Sequence, residues 1–279
     1  MRIGVFSKSG AQNSAPVFEA WCQGARSLGW QCTEDDLTAD VAVIWSMLWR
    51  GRMQANRSIW QHYRESGRSV IVLEVGNLDR GRTWRMGVNG ITGNAQWCQV
   101  HDAQRPQRLG LSLRPWRDQG SHILIACQRG DSEQWTQQPR SDIWLRETVD
   151  HIRRHTARPI RVRLHPRFRQ SIPADVTVSK PRAIPGTYDS FDFDRDLAGA
   201  WAVVNWNSGP AVQSVIAGVP AFVGPTSLAA PVANLDLAHI ETPSMPDRDQ
   251  WLIDISHSEW TLAELNSGIP QQHIMHHLK

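Results

Sequence analysis

The chain has 279 residues, which suits one large domain or two domains of about 100–150 residues and is enough to bury a hydrophobic core. No apolar stretch approaches the roughly 20 residues that a membrane-spanning helix needs. The four cysteines form no CxxC pair, which favours reduced thiols over a disulfide framework or a metal site. Met1–Phe6 predicts a strand rather than a signal peptide, so we expect a soluble cytoplasmic protein.

Positive charge is concentrated in the first part of the chain. Residues 1–170 carry 25 Lys and Arg against 15 Asp and Glu, whereas residues 171–279 carry 5 against 12. Of the 30 basic residues, 27 are arginines, whose planar guanidinium suits phosphates and base edges. One interpretation is a basic N-terminal part that faces a polyanion, and the alternative is a merely solvated surface.

Strand and helix signals alternate through the first half of the chain. The predicted elements are strand Ile3–Phe6, helix Ala15–Leu28, strands Trp30–Glu34 and Val41–Trp45, helix Met53–Ser66 and strand Ser69–Val75. The glycine-rich segment Gly76–Trp97 shows no periodicity, and we expect a functional loop there. The polar segment Asp102–Asp118, rich in Arg and Pro, predicts a linker.

The same pattern then restarts. The predicted elements are strand Ser121–Cys127, helix Asp142–His155, strands Pro159–Leu164, Val176–Ser179 and Ala200–Asn205, helix Ala211–Ala217 and strand Ala221–Val223. Two such series predict an α/β fold of two facing Rossmann-like domains, residues 1–115 and 116–250, followed by C-terminal helices over 251–279 that cross back to the first domain. The absence of a GxGxxG or Walker motif disfavours dinucleotide redox chemistry and P-loop hydrolysis.

Two motifs at strand ends suit an anion. Asn207, Ser208 and Gly209 form a strand-to-helix turn whose N–H groups and helix dipole favour a phosphate, although an ordinary turn with a serine N-cap is the alternative. Upstream, Arg161–Arg167 ends another predicted strand. We expect Arg163 and Arg167 there to lie on the same strand face as His165. His165 is a candidate hydrogen-bond donor to a phosphate, and the alternative is an imidazole that caps a helix or turn.

These motifs resemble those of GT-B-type glycosyltransferases. In bacterial sialyl- and Kdo-transferases of that fold, a His-Pro element and a Ser/Thr turn hold the nucleotide-sugar phosphates. Several stretches also resemble small phage-encoded glycosyltransferases, namely Leu73–Gly81, Trp84–Gly90, Arg161–Arg167 and Glu259–Leu265. The resemblance implies a nucleotide-sugar donor, expected to be UDP-linked, and as acceptor DNA with modified bases such as 5-hydroxymethylcytosine. It implies the host cytoplasm as location and leaves metal dependence open.

The resemblance places the donor in the second domain. The candidate donor-binding residues are Gln128, Arg129, Arg163, His165, Arg167, Asn207, Ser208, Gly209 and Gln213. GT-B enzymes commonly carry a glutamate at the position of Gln213 to bind both ribose hydroxyls, whereas a glutamine accepts only through its carbonyl oxygen. A solvated loop is the alternative for Gln128 and Arg129. The alternating Asp192, Asp194 and Asp196 are expected to form an exposed acidic turn rather than a metal site.

On the acceptor side, Asp79 is the first candidate for a general base and Glu74 the second, although Glu74 can equally pair with an arginine. A retaining mechanism would need no such base. The candidate DNA- and acceptor-binding residues mix arginines with aromatics and are Arg50, Arg52, Arg80, Arg82, Trp84, Arg85 and Asn89. Core packing is the alternative for each tryptophan. The alternative functions are a transferase acting on a polysaccharide or small acceptor, and a non-catalytic nucleotide- or DNA-binding module.

Overall fold

The computed structural model describes residues 1–98, 102–135 and 138–279. The chain divides into two compact units, of which the first comprises residues 1–109 and 253–279 and the second residues 110–252. Each unit is built around one β-sheet. Within the described residues, no helix has both the length and the apolar character of a membrane span.

The strands and helices follow one another along the chain as an α/β protein. The strands are β1 (Arg2–Val5), β2 (Gln31–Glu34), β3 (Val41–Trp45), β4 (Ser69–Val75), β5 (Thr83–Val88), β6 (His122–Ala126), β7 (Ile160–Arg163), β8 (Thr177–Ser179), β9 (Ala200–Asn205), β10 (Ala221–Val223) and β11 (Glu259–Thr261). The α-helices are α1 (Ala15–Ser27), α2 (Asn56–Glu65), α3 (Arg105–Arg108), α4 (Ser141–Arg153), α5 (Phe193–Leu197), α6 (Gly209–Ile216), α7 (Asp249–Ser256), α8 (Leu262–Ser267) and α9 (Ile269–Ile274).

The sheet of the first unit has the strand order β11-β5-β4-β3-β1-β2. Strands β1 to β4 are parallel, β5 is antiparallel to β4, and β11 is antiparallel to β5. Both faces of the parallel strands are buried: Val43 and Leu73 join the core that contains α1, whereas Ile44 and Val72 join the core that contains α2. Burial on both faces explains why these strands are continuous apolar runs in the sequence.

The sheet of the second unit is entirely parallel, with the order β10-β9-β6-β7-β8. With the strands of this sheet numbered along the chain, this is the 3-2-1-4-5 order of a doubly wound α/β sheet. Ile125 and Val162 pack with α4 on one face, and Leu124 and Val203 pack with α5 on the other. No disulfide joins any of the four cysteines.

Three sequence predictions about this architecture are wrong. The segment Gly76–Trp97 is not one loop, because β5 lies within it and is fully buried. The predicted linker Asp102–Asp118 does contain the boundary between the two units, at Leu109 and Gly110, but its first part is wrong, because it forms α3, whose Arg105 is 3% exposed. The C-terminal segment is not only helical, because Glu259–Thr261 forms a strand of the first sheet. Short buried strands without alternation carry no periodic signal, which explains the first and third errors.

Candidate functional site

The carboxyl ends of β6 and β9 form the topological switch point of the second sheet. From β6 the chain proceeds to β7 on one side, whereas β9 lies on the other side of β6. In open parallel sheets, ligands bind in the crevice outside the strand ends at this position. Several candidate donor-binding residues lie here, since Gln128 follows β6 and Asn207 follows β9.

An amide clamp made by Gln128 and Asn207 joins the two loops at the switch point. The Gln128 side chain donates to Asn207 Oδ1 at 2.8 Å and accepts from the Asn207 backbone N–H at 2.9 Å. Asn207 Nδ2 also donates to the Gln134 carbonyl and to Thr226 Oγ1, each at 3.0 Å. Both side chains are 6% exposed. They therefore shape the crevice, and their amide groups are already engaged with protein atoms.

The turn between β9 and α6 is held by Asn205. Its side chain accepts from the Ser208 backbone N–H at 2.8 Å and donates to Ser208 Oγ at 2.8 Å. The Ala211 N–H donates to the Ser208 carbonyl at 3.2 Å. The Gly209 N–H has no acceptor among the residues that the structure describes. The donors that the turn can offer an anion are thus the Ser208 hydroxyl and the Gly209 N–H, with the dipole of α6 behind them.

The loop after β7 presents His165 with a defined tautomer. His165 Nδ1 accepts from the Arg167 backbone N–H at 3.1 Å, so in the neutral ring Nε2 carries the proton and is the donor. Arg167 forms an ion pair with Asp189 and is largely exposed. Because β7 ends at Arg163, the expected strand face shared by Arg163, His165 and Arg167 does not exist.

The buried Arg163 is a structural residue. Its guanidinium donates to Asp196, and the two side chains are 7% and 3% exposed. Ser179 Oγ contacts both carboxylate oxygens of Asp196, at 2.6 and 2.7 Å. This placement argues against Arg163 as a phosphate ligand. The prediction of an exposed acidic turn is wrong for Asp196, because this residue is buried. Among the described residues, no group of side chains could hold a metal ion.

The remaining donor candidates lie at the same edge of the sheet. Arg129 pairs with Asp131 at 2.8 and 2.9 Å, and its side chain is one-quarter exposed. Gln213 lies in α6 and is half-buried. An aromatic cluster that sequence analysis missed is also here, with the Trp206 ring 6.4 Å from that of Trp135. A side chain at Gly224 would collide with Trp206, its Cβ lying 2.5 Å from the ring.

In the first unit, Glu259 shapes the loop that follows β4. Its carboxylate accepts from the backbone N–H groups of Asn77 and Leu78, at 2.5 and 3.0 Å, and from Thr83 Oγ1 at 2.7 Å. Glu259 is 1% exposed. A buried carboxylate is stable here because three donors replace its hydration. The sequence pointed to Glu259 only as part of the stretch Glu259–Leu265 and assigned it no role, since it lies far along the chain from the loop that it holds.

The two candidate bases lie at the end of β4. Asp79 follows the turn held by Glu259, and its side chain is 31% exposed and pairs with Arg82 at 2.8 Å. The Thr83 N–H donates to the Asp79 carbonyl at 2.9 Å. Glu74 is half-buried within β4, where one carboxylate oxygen accepts from the Val75 N–H at 2.9 Å. Both residues are half-buried, and they differ in that Glu74 lies within β4 whereas Asp79 lies in the loop beyond it.

The predicted acceptor residues separate into a buried and an exposed group. Trp84 and Arg85 belong to β5 and are 8% and 9% exposed. Arg85 donates to the Val75 and Ile91 carbonyls, and burial lowers its pKa. Asn89 accepts from the Val70 N–H in a turn with φ of 57°. The contacts of these three residues lie within the fold, which argues against their expected role on DNA. The exposed members are Arg50, Arg52 and Arg82, and Arg80 is half-buried.

Arg105 fastens the C-terminal segment to the first unit. It donates to the Ser256 carbonyl at 2.7 Å and to the Glu259 carbonyl at 2.6 Å, and it also pairs with Glu264. Its guanidinium lies 4.0 Å from the centre of the Trp260 ring. Burial acts to raise the pKa of Glu264, but hydrogen bonds from Arg105 and Thr261 outweigh it and lower that pKa. The segment that holds Glu259 is thus itself fixed.

Comparison with known proteins relates the chain to others by fold. No family model matches the sequence, and no curated protein matches it. Among solved structures, the chain is similar to KpsC of Thermosulfurimonas dismutans, a β-Kdo 2,4-transferase, with a TM-score of 0.52 and 12% identity over 91% of this chain and 90% of that one. A β-Kdo 2,7-transferase KpsC structure from the same organism has a TM-score of 0.49 and 11% identity, over 98% and 99% of the chains. The chain thus shares the fold of a β-Kdo 2,4-transferase across most of its length.

Replacing Arg163 tests whether it is structural. Arg163→Ala leaves the Asp196 carboxylate buried without its partner, which we expect to lower the free energy of unfolding by about 3–5 kcal/mol. Arg167→Ala removes a pair that is mostly exposed, which we expect to cost no more than about 1 kcal/mol. Thermal and urea unfolding of the two variants measure the difference. Equal stability of both variants would contradict the structural role of Arg163.

Proposed function

We propose that this protein is a glycosyltransferase that takes a sugar from a nucleotide-sugar donor. The observation that carries the proposal is the set of donors at the switch point of the second sheet: the Ser208 hydroxyl, the Gly209 N–H and the loop of His165. Nε2 of His165 carries the proton of the neutral ring, because its Nδ1 accepts a backbone hydrogen bond. The fold similarity to a Kdo transferase supports sugar transfer as the chemistry at this edge.

The donor phosphates are proposed to bind between His165 and the Ser208–Gly209 turn. Hydrogen bonds to a phosphate are charge-assisted and stronger than neutral ones, and the N-terminus of α6 adds a favourable dipole. The leaving nucleoside diphosphate departs with the electron pair of the broken sugar–oxygen bond, so donors aimed at its oxygens stabilise the charge that develops. Gln213 offers the ribose a single acceptor oxygen. A uridine-linked sugar is the donor that we expect.

We propose a hydroxymethylated base in DNA, such as 5-hydroxymethylcytosine, as the acceptor. The support is the exposure of Arg50, Arg52 and Arg82 in the first unit. The second candidate acceptor is a saccharide, which the fold similarity to a Kdo transferase favours. In an inverting transfer, the acceptor oxygen attacks the anomeric carbon while a carboxylate takes its proton. Asp79 is the proposed base, because it lies in the loop beyond the end of β4, whereas Glu74 lies within the strand.

Mass spectrometry of nucleosides tests the function and the acceptor together. DNA containing 5-hydroxymethylcytosine is incubated with the protein and a panel of uridine- and cytidine-linked sugars, and then digested. We expect a nucleoside heavier by one sugar residue, and no such product from DNA with ordinary cytosine. Transfer only to saccharide acceptors would favour the second candidate. If the protein neither hydrolyses a nucleotide sugar nor transfers its sugar to any of these acceptors, the assignment as a glycosyltransferase is wrong.

Substitutions at the phosphate site test the donor assignment. His165→Ala and Ser208→Ala each remove one charge-assisted hydrogen bond, which we expect to weaken UDP binding about ten- to a hundredfold. Isothermal titration calorimetry gives the dissociation constants, and thermal unfolding checks that the fold is intact. The matched control is His155→Ala, an exposed histidine just beyond α4 of the same unit. Unchanged UDP affinity in both site variants would overturn the assignment.

Replacing Asp79 tests the general base. Loss of a positioned base typically costs about 10²–10⁴-fold in rate, so Asp79→Asn should lower turnover by that factor while UDP affinity stays unchanged. The Asp79–Arg82 pair is exposed, so little change in stability is expected. Glu74→Gln is the matched control. An active Asp79→Asn variant beside an inactive Glu74→Gln variant would transfer the role to Glu74, and two active variants would indicate a retaining mechanism.

A further inference from the structure

The segment from residue 46 to residue 68 is the most one-sided in charge of the first unit. It contains five arginines and a single carboxylate, Glu65. Four of the arginines are exposed on the turn Gly51–Ala55 and on α2, namely Arg50, Arg52, Arg57 and Arg64. Within the described ranges, no carboxylate lies at ion-pair distance from Arg52, Arg57 or Arg64. Their charge is therefore available to a partner.

The fifth arginine shows what a structural role looks like in this segment. Arg68 donates to the carbonyls of Leu37 and Ala39, at 2.9 and 2.7 Å, and its guanidinium lies 4.1 Å from the centre of the Tyr63 ring. Arg57 has no comparable contact among the described residues, and Arg64 has only a long contact with Trp60, at 5.9 Å from the ring centre. Arg68 therefore stabilises the fold, whereas Arg57 and Arg64 lie on the surface.

Two tryptophans lie among these arginines. Arg57, Trp60 and Arg64 follow the i, i+3, i+7 spacing of one helix face, while Ile59 and Tyr63 form the buried face of α2. The Trp60 ring lies 6.3 Å from that of Trp49, and both rings are half-buried at the edge of the core. Part of each ring therefore remains accessible beside the guanidinium groups.

We propose that this arginine–tryptophan face, formed by Trp49, Arg52, Arg57, Trp60 and Arg64, binds single-stranded nucleic acid. A guanidinium pairs with a phosphate through two parallel hydrogen bonds, and an indole ring stacks with a base of any sequence. Arg64 lies seven positions after Arg57 on α2, a rise of roughly 10 Å, with Trp60 between them. The face thus presents a cation, a ring and a cation in turn, which can meet two phosphates of a strand and a base carried by a sugar between them.

The same face suits an acidic polysaccharide less well. Carboxylates along a sugar chain would satisfy the arginines, but a sugar ring packs on an indole only through its C–H groups and lacks the π-stacking that a base adds. The inference rests on the proposed function in that it supplies the surface by which a DNA acceptor is held. The proposed surface leaves out Trp84 and Arg85, which the sequence predicted to bind DNA, because both are buried in β5.

Binding of a fluorescent 15-nucleotide oligothymidine to the full-length protein, without donor, tests the inference by anisotropy. Each phosphate contact on single strands contributes about 0.7 to the slope of log K against log salt, so the double variant Arg57→Ala/Arg64→Ala should lower the magnitude of that slope by about 1.4. The control is Arg146→Ala/Arg154→Ala, which removes two exposed arginines at α4 of the second unit. It should leave the slope unchanged.

Trp60 gives a second, independent measurement. Trp60→Leu keeps an apolar side chain at the core edge but removes the π-face, which should weaken oligothymidine binding about tenfold, whereas Trp60→Phe should restore most of the affinity. Thermal unfolding confirms that both variants fold. An equal loss in the Leu and Phe variants would contradict stacking by this residue.

Three results would overturn the inference: no oligothymidine binding by the unaltered protein, an equal loss of slope in the control double variant, or heparin binding that is tighter than oligothymidine binding and depends on the same arginines.

The outcome of this test is separable from that of the proposed function. If sugar transfer to DNA occurs but the variants bind normally, the DNA acceptor stands and this surface is wrong. If no transfer to DNA occurs but the variants lose binding, the surface stands and the proposed acceptor fails.

Discussion

The first unit depends on a buried carboxylate that comes from the far end of the chain. Glu259 accepts three hydrogen bonds from the loop after β4, and Arg105 holds the backbone of Glu259 in place. A buried carboxylate without such partners would be strongly destabilising, so the loop and the C-terminal segment must form together. The position of Asp79, which follows that loop, is therefore determined by residues about 180 positions later in the sequence.

In the second unit, neutral amide side chains hold the loops at the strand ends. The Gln128–Asn207 pair joins the loops after β6 and β9, and Asn205 fixes the turn before α6. These amides are satisfied by protein atoms of the same unit, so the two loops are held together without a ligand. A preorganised crevice lowers the entropic cost of binding a flexible ligand such as a nucleotide sugar.

The arginines of this protein serve two different purposes. Arg85, Arg105 and Arg163 are each less than 10% exposed and bind backbone carbonyls or buried carboxylates. Arg57 and Arg64 are exposed and lack a carboxylate partner among the described residues. An arginine count is therefore a poor measure of a polyanion surface, because the guanidinium forks that suit phosphates also suit carbonyl groups inside a fold.

The sequence by itself determined the elements whose signal is local. The strands Val41–Trp45 and Ser69–Val75 were predicted with their observed bounds, because strands buried on both faces are continuous apolar runs. The strand-to-helix turn at Ser208 was also predicted, because a Ser-Gly-Pro sequence directly after an apolar run is a local signal. Tertiary structure alone decided that β5 is a strand, that Arg163 pairs with Asp196 and that Glu259 holds the loop before Asp79. Each of these depends on a partner distant in sequence, and no local pattern encodes a pairing that only the folded chain brings together.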